Sequence, residues 1–219
     1  MELNIYRLKE LLKYPKGINA QLKMAPKLRR KELEEYHNHE IKSKSAVLIL
    51  IFIENNDYKI ILTKRSNKLR KHSGQISFPG GKYDDNDSNL QNTAFRESEE
   101  EIGLKNKDIT VLGWLSPLII PITNFEVHPL VVFSNETPKL EINKDEVEQI
   151  IIASINKLTD INNIKRTSFG NSSSGRFIEA PYFEIENHKI WGATAMIISE
   201  LLLTVFPESK FSKHEMSFY

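Results

Sequence analysis

The sequence predicts a single mixed α+β sandwich, and three observations support that class. Strand-like runs are interspersed with a few helical segments, without a regular β-α-β alternation. A length of 219 residues corresponds to one or two domains, and a hydrophobic fraction of 40% can fill one sizeable core. Nine glycines and nine prolines are too few for a fibrous or disordered chain. We therefore expect an N-terminal helical extension over residues 1–45, a main domain over 46–206 and a C-terminal tail over 207–219.

The first half of the chain predicts a helix followed by a β-hairpin. Apolar residues fall near one face of a helix over residues 3–14, with Gly17 as its stop. Residues 46–53 and 58–64 alternate like strands around the turn sequence Asn55-Asn56-Asp57. The next stretch, 66–81, mixes turn residues with a short apolar run.

The second half predicts two helices and further strands. A helix is expected over residues 90–102, with Gly103 as its C-terminal stop, and a mostly apolar helix over 192–206, which ends before Pro207. Residues 169–175, FGNSSSG, are predicted to form a flexible loop. The strand candidates are 110–115, 126–133, 149–155 and 182–185.

Composition excludes several classes of function. Thirty lysines and arginines against 29 aspartates and glutamates leave a formal charge of +1, which gives no electrostatic argument for nucleic-acid binding. The chain has no cysteine, so a disulfide, a Cys-ligated metal site and a thiol nucleophile are impossible. Its apolar runs are too short to span a membrane. We expect a cytoplasmic protein without nucleic-acid or membrane partners, and a homodimer stays open.

The candidate metal-binding residues lie in a run of glutamates directly after Arg96. On a helix, Glu97 lies three residues from Glu100 and four from Glu101, so the three share one face. Like charges at those spacings repel, and a bound cation would reverse the sign of the interaction. Oxygen ligands without cysteine suit Mg²⁺ or Mn²⁺, and Arg96 could orient one carboxylate. The alternative is that the whole run is an ordinary solvated acidic helix face. Glu99 points away from the edge that the other three share.

Two glycines before this helix add to the pattern. Gly80 and Gly81 allow the backbone to approach a ligand closely, although they could also form an ordinary turn. Together with the helix they resemble the Nudix box, a glycine followed by a loop and a glutamate-rich helix. The residues that match the box are Gly81, Arg96, Glu97, Glu100, Glu101, Gly103 and Leu104.

The sequence departs from the box in three places. One extra residue separates Gly81 from Arg96, and Ser98 stands where an aliphatic residue is usual. The early glutamate of the box is replaced by one of three nearby aspartates, Asp84, Asp85 or Asp87. The departures concern the early acidic role and leave the three helix glutamates intact.

A second motif, upstream of the box, is more specific about substrate. It resembles the signature of the coenzyme A pyrophosphatase branch of Nudix hydrolases, with Ile61 in place of a leucine. A similar C-terminal stretch of that branch matches residues 190–195. The residues that carry the upstream resemblance are Leu62-Thr63-Lys64-Arg65-Ser66, Arg70, Gly74 and Phe78-Pro79-Gly80-Gly81.

The resemblance implies a Nudix α/β/α sandwich with a mixed sheet, which hydrolyses coenzyme A to 3′,5′-ADP and 4′-phosphopantetheine with Mg²⁺ or Mn²⁺. It implies Glu97 and Glu101 as metal ligands and Glu100 as a third ligand or a base. Arg65 and Arg70, with the two glycines, would bind the substrate, since arginine engages phosphate in a bidentate manner.

Several alternatives remain open at this stage. The substrate could be ADP-ribose, NADH or a dinucleoside polyphosphate, or the domain could sense a nucleotide without hydrolysing it. Glu146 or Glu148 could supply a further base or ligand, or be merely solvated. Trp191 and Phe125 could stack on adenine or pack in the core. The lysines in and around the upstream motif could bind phosphate or keep a strand edge and loop soluble; they are Lys59, Lys64, Lys68 and Lys71.

Overall fold

The computed structural model describes residues 4–26, 29, 43–68, 74–121, 123–171 and 176–214 of the chain. It is a mixed α+β fold, as the sequence predicts, with an eight-stranded sheet and a three-stranded sheet. The helices are α1 Ile5–Leu12, α2 Gly17–Gln21, α3 Leu90–Ile102, α4 Ile155–Thr159, α5 Gly192–Val205 and α6 Lys210–Lys213.

The larger sheet is mixed because one central pair of strands is parallel. β1 pairs in parallel with β7, and every other pairing in this sheet is antiparallel. The core order is β3-β2-β1-β7-β5, with β4 on β1, β6 on β7 and β8 on β2. The strands are β1 Ser43–Glu54, β2 Asp57–Arg65, β3 Ile76–Ser77, β4 Gly80–Lys82, β5 Ile109–Trp114, β6 Leu118–Ile120, β7 Phe125–Ser134 and β8 Val147–Ser154.

The predicted hairpin between β1 and β2 is confirmed. Its two turn residues, Asn55 and Asn56, both have positive φ, 52° and 58°. That geometry matches the right-handed twist of the flanking strands, and asparagine tolerates it better than most residues.

Both faces of the larger sheet are buried, which produces the layered sandwich. Along β1, Ile49 and Ile51 belong to the core that includes α1 and α5, whereas Leu50 and Phe52 belong to the core beneath α3. Alternate residues of a strand point to opposite faces, so a continuous apolar run is what a doubly covered strand requires. The sheet therefore holds α3 on one side.

The second sheet consists of β9 Ile164–Asn171, β10 Arg176–Ile185 and β11 His188–Trp191. Of this sheet, only the end of β10 was predicted from the sequence. β9 was missed because its polar sequence does not alternate clearly. The prediction of a flexible loop at 169–175 is wrong for residues 169–171, which close β9, and residues 172–175 lie outside the described part. Phe183 and Ile190 attach this sheet to the α5 side of the core.

The two long helices after residue 89 are confirmed and have clear boundaries. The Asn89 side chain accepts a hydrogen bond from the Asn92 N–H at 3.0 Å, and Gly103 ends α3 in the left-handed conformation at φ 65°. The prediction that Gly17 stops the first helix is wrong: α1 ends at Leu12, and Gly17 begins α2.

Candidate metal and substrate site

The carboxylate-bearing helix α3 packs against the sheet through a mixed face, on which the apolar Ala94 and Ile102 lie beside small polar side chains. Ser98 is fully buried, and its hydroxyl donates to the Ala94 carbonyl at 2.7 Å. Because that bond satisfies the hydroxyl within the helix, serine is accommodated where the box usually has an aliphatic residue.

Gly81 lies directly against the carboxylate of Glu97. A Cβ atom built on Gly81 would stand 2.3 Å from the Glu97 Cδ and Oε2 atoms. A glycine is therefore needed here so that the Glu97 carboxylate can rest against strand β4. Burial of the Glu97 carboxylate raises its pKa, and the neighbouring Arg96 opposes this effect.

Glu101 is the most deeply buried carboxylate of the cluster, with 5% of its surface exposed. It accepts a hydrogen bond from the Gly80 backbone N–H, while its Oε2 atom has no hydrogen-bond partner. Burial, helped by repulsion from Glu97, raises the pKa of Glu101 to about 8. A buried carboxylate with one unsatisfied oxygen is a group that a bound cation would stabilise.

Arg96 connects the loop before the helix to two of its glutamates. Its guanidinium donates in a bidentate manner to Asp87, with Nε–Oδ1 at 2.9 Å and Nη2–Oδ2 at 3.0 Å. Nη1 lies 2.8 Å from Glu97 Oε1 and 3.0 Å from Glu100 Oε2. The arginine holds the pKa of Asp87 well below its usual range. Of the three aspartates considered for the early acidic position, Asp87 is the one paired with Arg96 in this way.

Glu99 points away from this cluster. Its carboxylate pairs with Lys105 at 2.6 Å, and both side chains are exposed. The helix spacing predicts this separation, and Glu99 is therefore a matched control for its neighbours.

Arg65 and Glu146 reach the same place from outside the helix. Arg65, at the end of β2, lowers the pKa of Glu101 electrostatically, and Glu146 raises the pKa of both Glu97 and Glu101. The backbone also ties this segment to the site, since the Ser66 N–H donates to the Glu146 carbonyl at 2.8 Å, whereas the sequence favoured a solvated role for Glu146. Arg70 lies outside the described residues.

A cavity of about 520 Å³ opens beside the cluster. Arg96 and Glu97 form one side, and Lys44, Lys82 and Asp85 contribute to the rest. Lys44 and Lys82 come from neighbouring positions of paired strands β1 and β4. A second cavity, of about 370 Å³ beside Tyr58 and Phe206, contains none of the motif residues.

The arrangement fits a divalent cation. Among the described residues, however, no three acidic or histidine side chains lie close enough together to coordinate one as they stand. Glu97 and Glu100 are instead drawn towards Arg96. The observations in favour are the unsatisfied Glu101 oxygen and the mutual repulsion of Glu97 and Glu101. Carboxylate oxygens are the ligands that Mg²⁺ and Mn²⁺ prefer.

The aromatic candidates do not lie in this cluster of contacts. The Trp191 ring stacks on Phe169 with centroids 4.1 Å apart and planes at 7°, on the second sheet. Phe125 begins β7 and pairs with Ile120 of β6. Among the described residues, no helix is both long and apolar enough to span a membrane.

The buried Glu101 predicts how the stability of the metal-free protein depends on pH. With a folded pKa of about 8 and an ordinary value near 4.5, the folded state binds the proton more tightly than the unfolded state. The stabilisation is complete below about pH 4.5 and is lost as the pH rises through about 8. We expect Glu101→Gln to unfold at a higher temperature than wild type at pH 8.5 in EDTA, by roughly 2–8 °C.

Thermal unfolding of both proteins at pH 5 and pH 8.5 measures this effect. Glu99→Gln, whose carboxylate is exposed, should follow wild type at both pH values. A Glu101→Gln variant that is less stable than wild type at pH 8.5 would contradict the assigned burial cost.

Comparison with known proteins places this site in context. A family profile described as the NUDIX domain matches residues 43–170. A Yersinia enterocolitica protein named "Uncharacterized Nudix hydrolase NudL" is 31% identical over 159 residues, covering 73% of this chain and 80% of that protein. Its namesake from Citrobacter koseri is 26% identical over 171 residues, covering 78% and 88% of the respective chains. A crystal structure of a MutT/nudix family protein from Enterococcus faecalis has a TM-score of 0.48 at 14% identity, covering 97% of this chain and 79% of that one.

Proposed function

Since this chain belongs to the Nudix hydrolase family, whose members act on phosphorus-containing anhydrides, we propose that it hydrolyses the pyrophosphate bond of coenzyme A. The products would be 3′,5′-ADP and 4′-phosphopantetheine. The proposal includes Mg²⁺ or Mn²⁺ as the cofactor and a small-molecule substrate as the partner.

The observation that carries the proposal is the contact between the upstream motif and the buried carboxylates of the box. Arg65 belongs to the upstream motif of the coenzyme A branch, and Glu101 belongs to the box. The Ser66 N–H, one residue after Arg65, donates to the Glu146 carbonyl at 2.8 Å, and the nearby Asn143 N–H donates to the Glu101 carbonyl at 3.0 Å. These bonds support a single site formed by both motifs. Gly80 and Gly81 lie between them in sequence and contact Glu101 and Glu97 respectively.

The residues of the site would have distinct roles in metal binding, proton transfer and phosphate binding. Glu97 and Glu101 would hold the cation, and Glu100 or Glu146 would accept a proton from the attacking water. When bound, Mg²⁺ or Mn²⁺ supplies positive charge to the phosphate oxygens and makes a bound water more acidic. Arg96 keeps Glu97 and Glu100 oriented while its other edge is fixed by Asp87. Arg65 and Arg70 would bind phosphate oxygens of the substrate.

A panel of substrates tests the choice of coenzyme A. Turnover of coenzyme A, ADP-ribose, NADH and a dinucleoside polyphosphate should be compared at equal concentration with Mg²⁺ and with Mn²⁺. The proposal predicts the highest kcat/KM for coenzyme A. A higher value for any of the others would assign the chain to another substrate of the family, and no turnover of any would support a nucleotide-sensing role.

The two motif arginines predict a selectivity for the 3′-phosphate of coenzyme A. Arg65→Ala or Arg70→Ala should cost about 1.5–3 kcal/mol in kcat/KM on coenzyme A, because a charge-assisted contact is lost. The 3′-dephospho form is the control substrate, and on it at least one of the variants should match wild type. Equal losses on both substrates would show that neither arginine reads this phosphate.

A further inference from the structure

The segment that carries Glu146 is fixed at both ends to the two motifs. We call residues 143–148, which are the turn before β8 and the first two residues of that strand, the acidic loop. The Asn143 N–H donates to the Glu101 carbonyl at 3.0 Å, which ties the loop to the end of α3. The Ser66 N–H donates to the Glu146 carbonyl at 2.8 Å, which ties the loop to the residue after β2. Glu146 is thus placed between the box helix and the upstream motif.

A β-bulge then determines the direction of the side chains in this loop. Between β2 and β8, Lys64 lies opposite Gln149, and Arg65 lies opposite Val147. Glu148 is therefore the extra residue of the bulge, without a partner of its own in the register. In a regular strand, Glu146 and Glu148 would point to the same face, because side chains alternate. A bulge changes the direction of a side chain relative to this regular alternation. The side chains of Glu148 and Glu146 can therefore point in different directions.

The Glu148 carboxylate is held by two donors from the upstream motif and the turn after it. Lys64 Nζ lies 2.5 Å from Oε1, and Asn67 Nδ2 lies 2.7 Å from Oε2. The Lys64 and Glu148 side chains are 26% and 36% exposed, so solvent screens them only in part. We call these three residues the Glu148 clamp.

A second ion pair of the same loop differs in exposure. Lys68 Nζ lies 2.8 Å from Asp145 Oδ1, and the two side chains are 66% and 84% exposed. Exposed pairs of this kind contribute little because water and salt screen them and both long side chains lose freedom. The clamp at Glu148, with two donors and lower exposure than the Lys68–Asp145 pair, is the stronger constraint on the loop.

We propose that Lys64 and Asn67, acting through Glu148, are positioning residues that hold Glu146 at the carboxylate cluster. This inference rests on the proposed function, because it assigns Glu146 to the same site as Glu97 and Glu101. It also gives the motif lysine a role other than phosphate binding: its charge is directed to Glu148.

Lys64→Met tests the clamp, since it removes the charge and keeps an unbranched side chain. We expect kcat to fall about tenfold with KM changed less than about twofold, as for other residues that orient metal-site ligands. Mn²⁺ binding to the metal-free protein, followed by electron paramagnetic resonance, should weaken in parallel. Glu146→Gln should reproduce both effects. The charge exchange Lys64→Glu with Glu148→Lys should recover most of the loss.

Lys68→Met is the matched control, because it removes the exposed pair from the same loop. It should leave kcat and Mn²⁺ affinity at wild-type values. The proposal is overturned if Lys64→Met behaves like Lys68→Met, if Glu146→Gln is neutral, or if the charge exchange gives no recovery at a normal unfolding temperature. If wild type hydrolyses no pyrophosphate substrate, the proposed function fails, and the Mn²⁺ titrations still decide the clamp.

Discussion

Substituting Glu97 or Glu101 with glutamine is expected to lower kcat by at least about two orders of magnitude. Each change removes a negative charge that the cation needs while it stabilises charge in the transition state. Glutamine keeps the size of the side chain, and at position 101 it can still accept the Gly80 N–H bond. Initial rates on the preferred substrate, at saturating Mg²⁺, measure the loss.

Glu99→Gln provides the internal control for this experiment. Glu99 stands on the same helix but pairs with Lys105 at the surface, and its substitution should keep kcat within about twofold, as expected for a surface change. Near wild-type turnover of Glu97→Gln or Glu101→Gln at saturating Mg²⁺ would refute the metal-ligand assignment.

The two glycines of strand β4 should respond differently to alanine. In Gly81→Ala the new methyl group would meet the Glu97 carboxylate at 2.3 Å, so the end of a side chain must move. We expect kcat to fall at least about tenfold, because a displaced ligand group costs catalysis, while the unfolding temperature changes little. Circular dichroism melts and initial rates on one preparation separate the two effects.

In Gly80→Ala the new methyl group would meet backbone instead. It would stand 2.3 Å from the Ala46 carbonyl oxygen and 2.6 Å from the Val47 Cα, at a φ of +148°. Strand β1 cannot move as a side chain can, and we expect a loss of at least about 2 kcal/mol in the free energy of unfolding. Gly192→Ala, at φ +63° with no atom within 4 Å, measures the cost of a left-handed residue without any steric contact. Equal melting temperatures for Gly80→Ala and Gly192→Ala would contradict the steric account.

Much of the fold could be predicted because its signals are local. The turn residues Asn55 and Asn56, the cap at Asn89 and the stop at Gly103 act within a few residues, and the hairpin and α3 follow from them. β3 and β4 were interpreted as turn because two or three residues carry no usable periodicity. β9 was missed because its polar residues do not alternate, and tertiary pairing with β10 decides its structure.

The candidate site was predictable where its spacing is helical. The common face of Glu97, Glu100 and Glu101 and the outward position of Glu99 both follow from 3.6 residues per turn. The pairing of Asp87 with Arg96 could not be read from spacing, because it depends on how the preceding loop folds back. The segment of Glu146 is tied to this site by backbone bonds from Asn143 to Glu101 and from Ser66 to Glu146, and such distant pairings cannot be read from one sequence.

The most direct measurement of the central claim is the hydrolysis of coenzyme A in ¹⁸O-labelled water with Mg²⁺, followed by mass analysis of both products. The account predicts 3′,5′-ADP and 4′-phosphopantetheine, with one ¹⁸O atom on the phosphate of one of them, because water attacks directly. The Glu101→Gln variant should form these products at a rate lower by at least about two orders of magnitude. Intact coenzyme A after incubation with wild type, or products without label, would contradict the account.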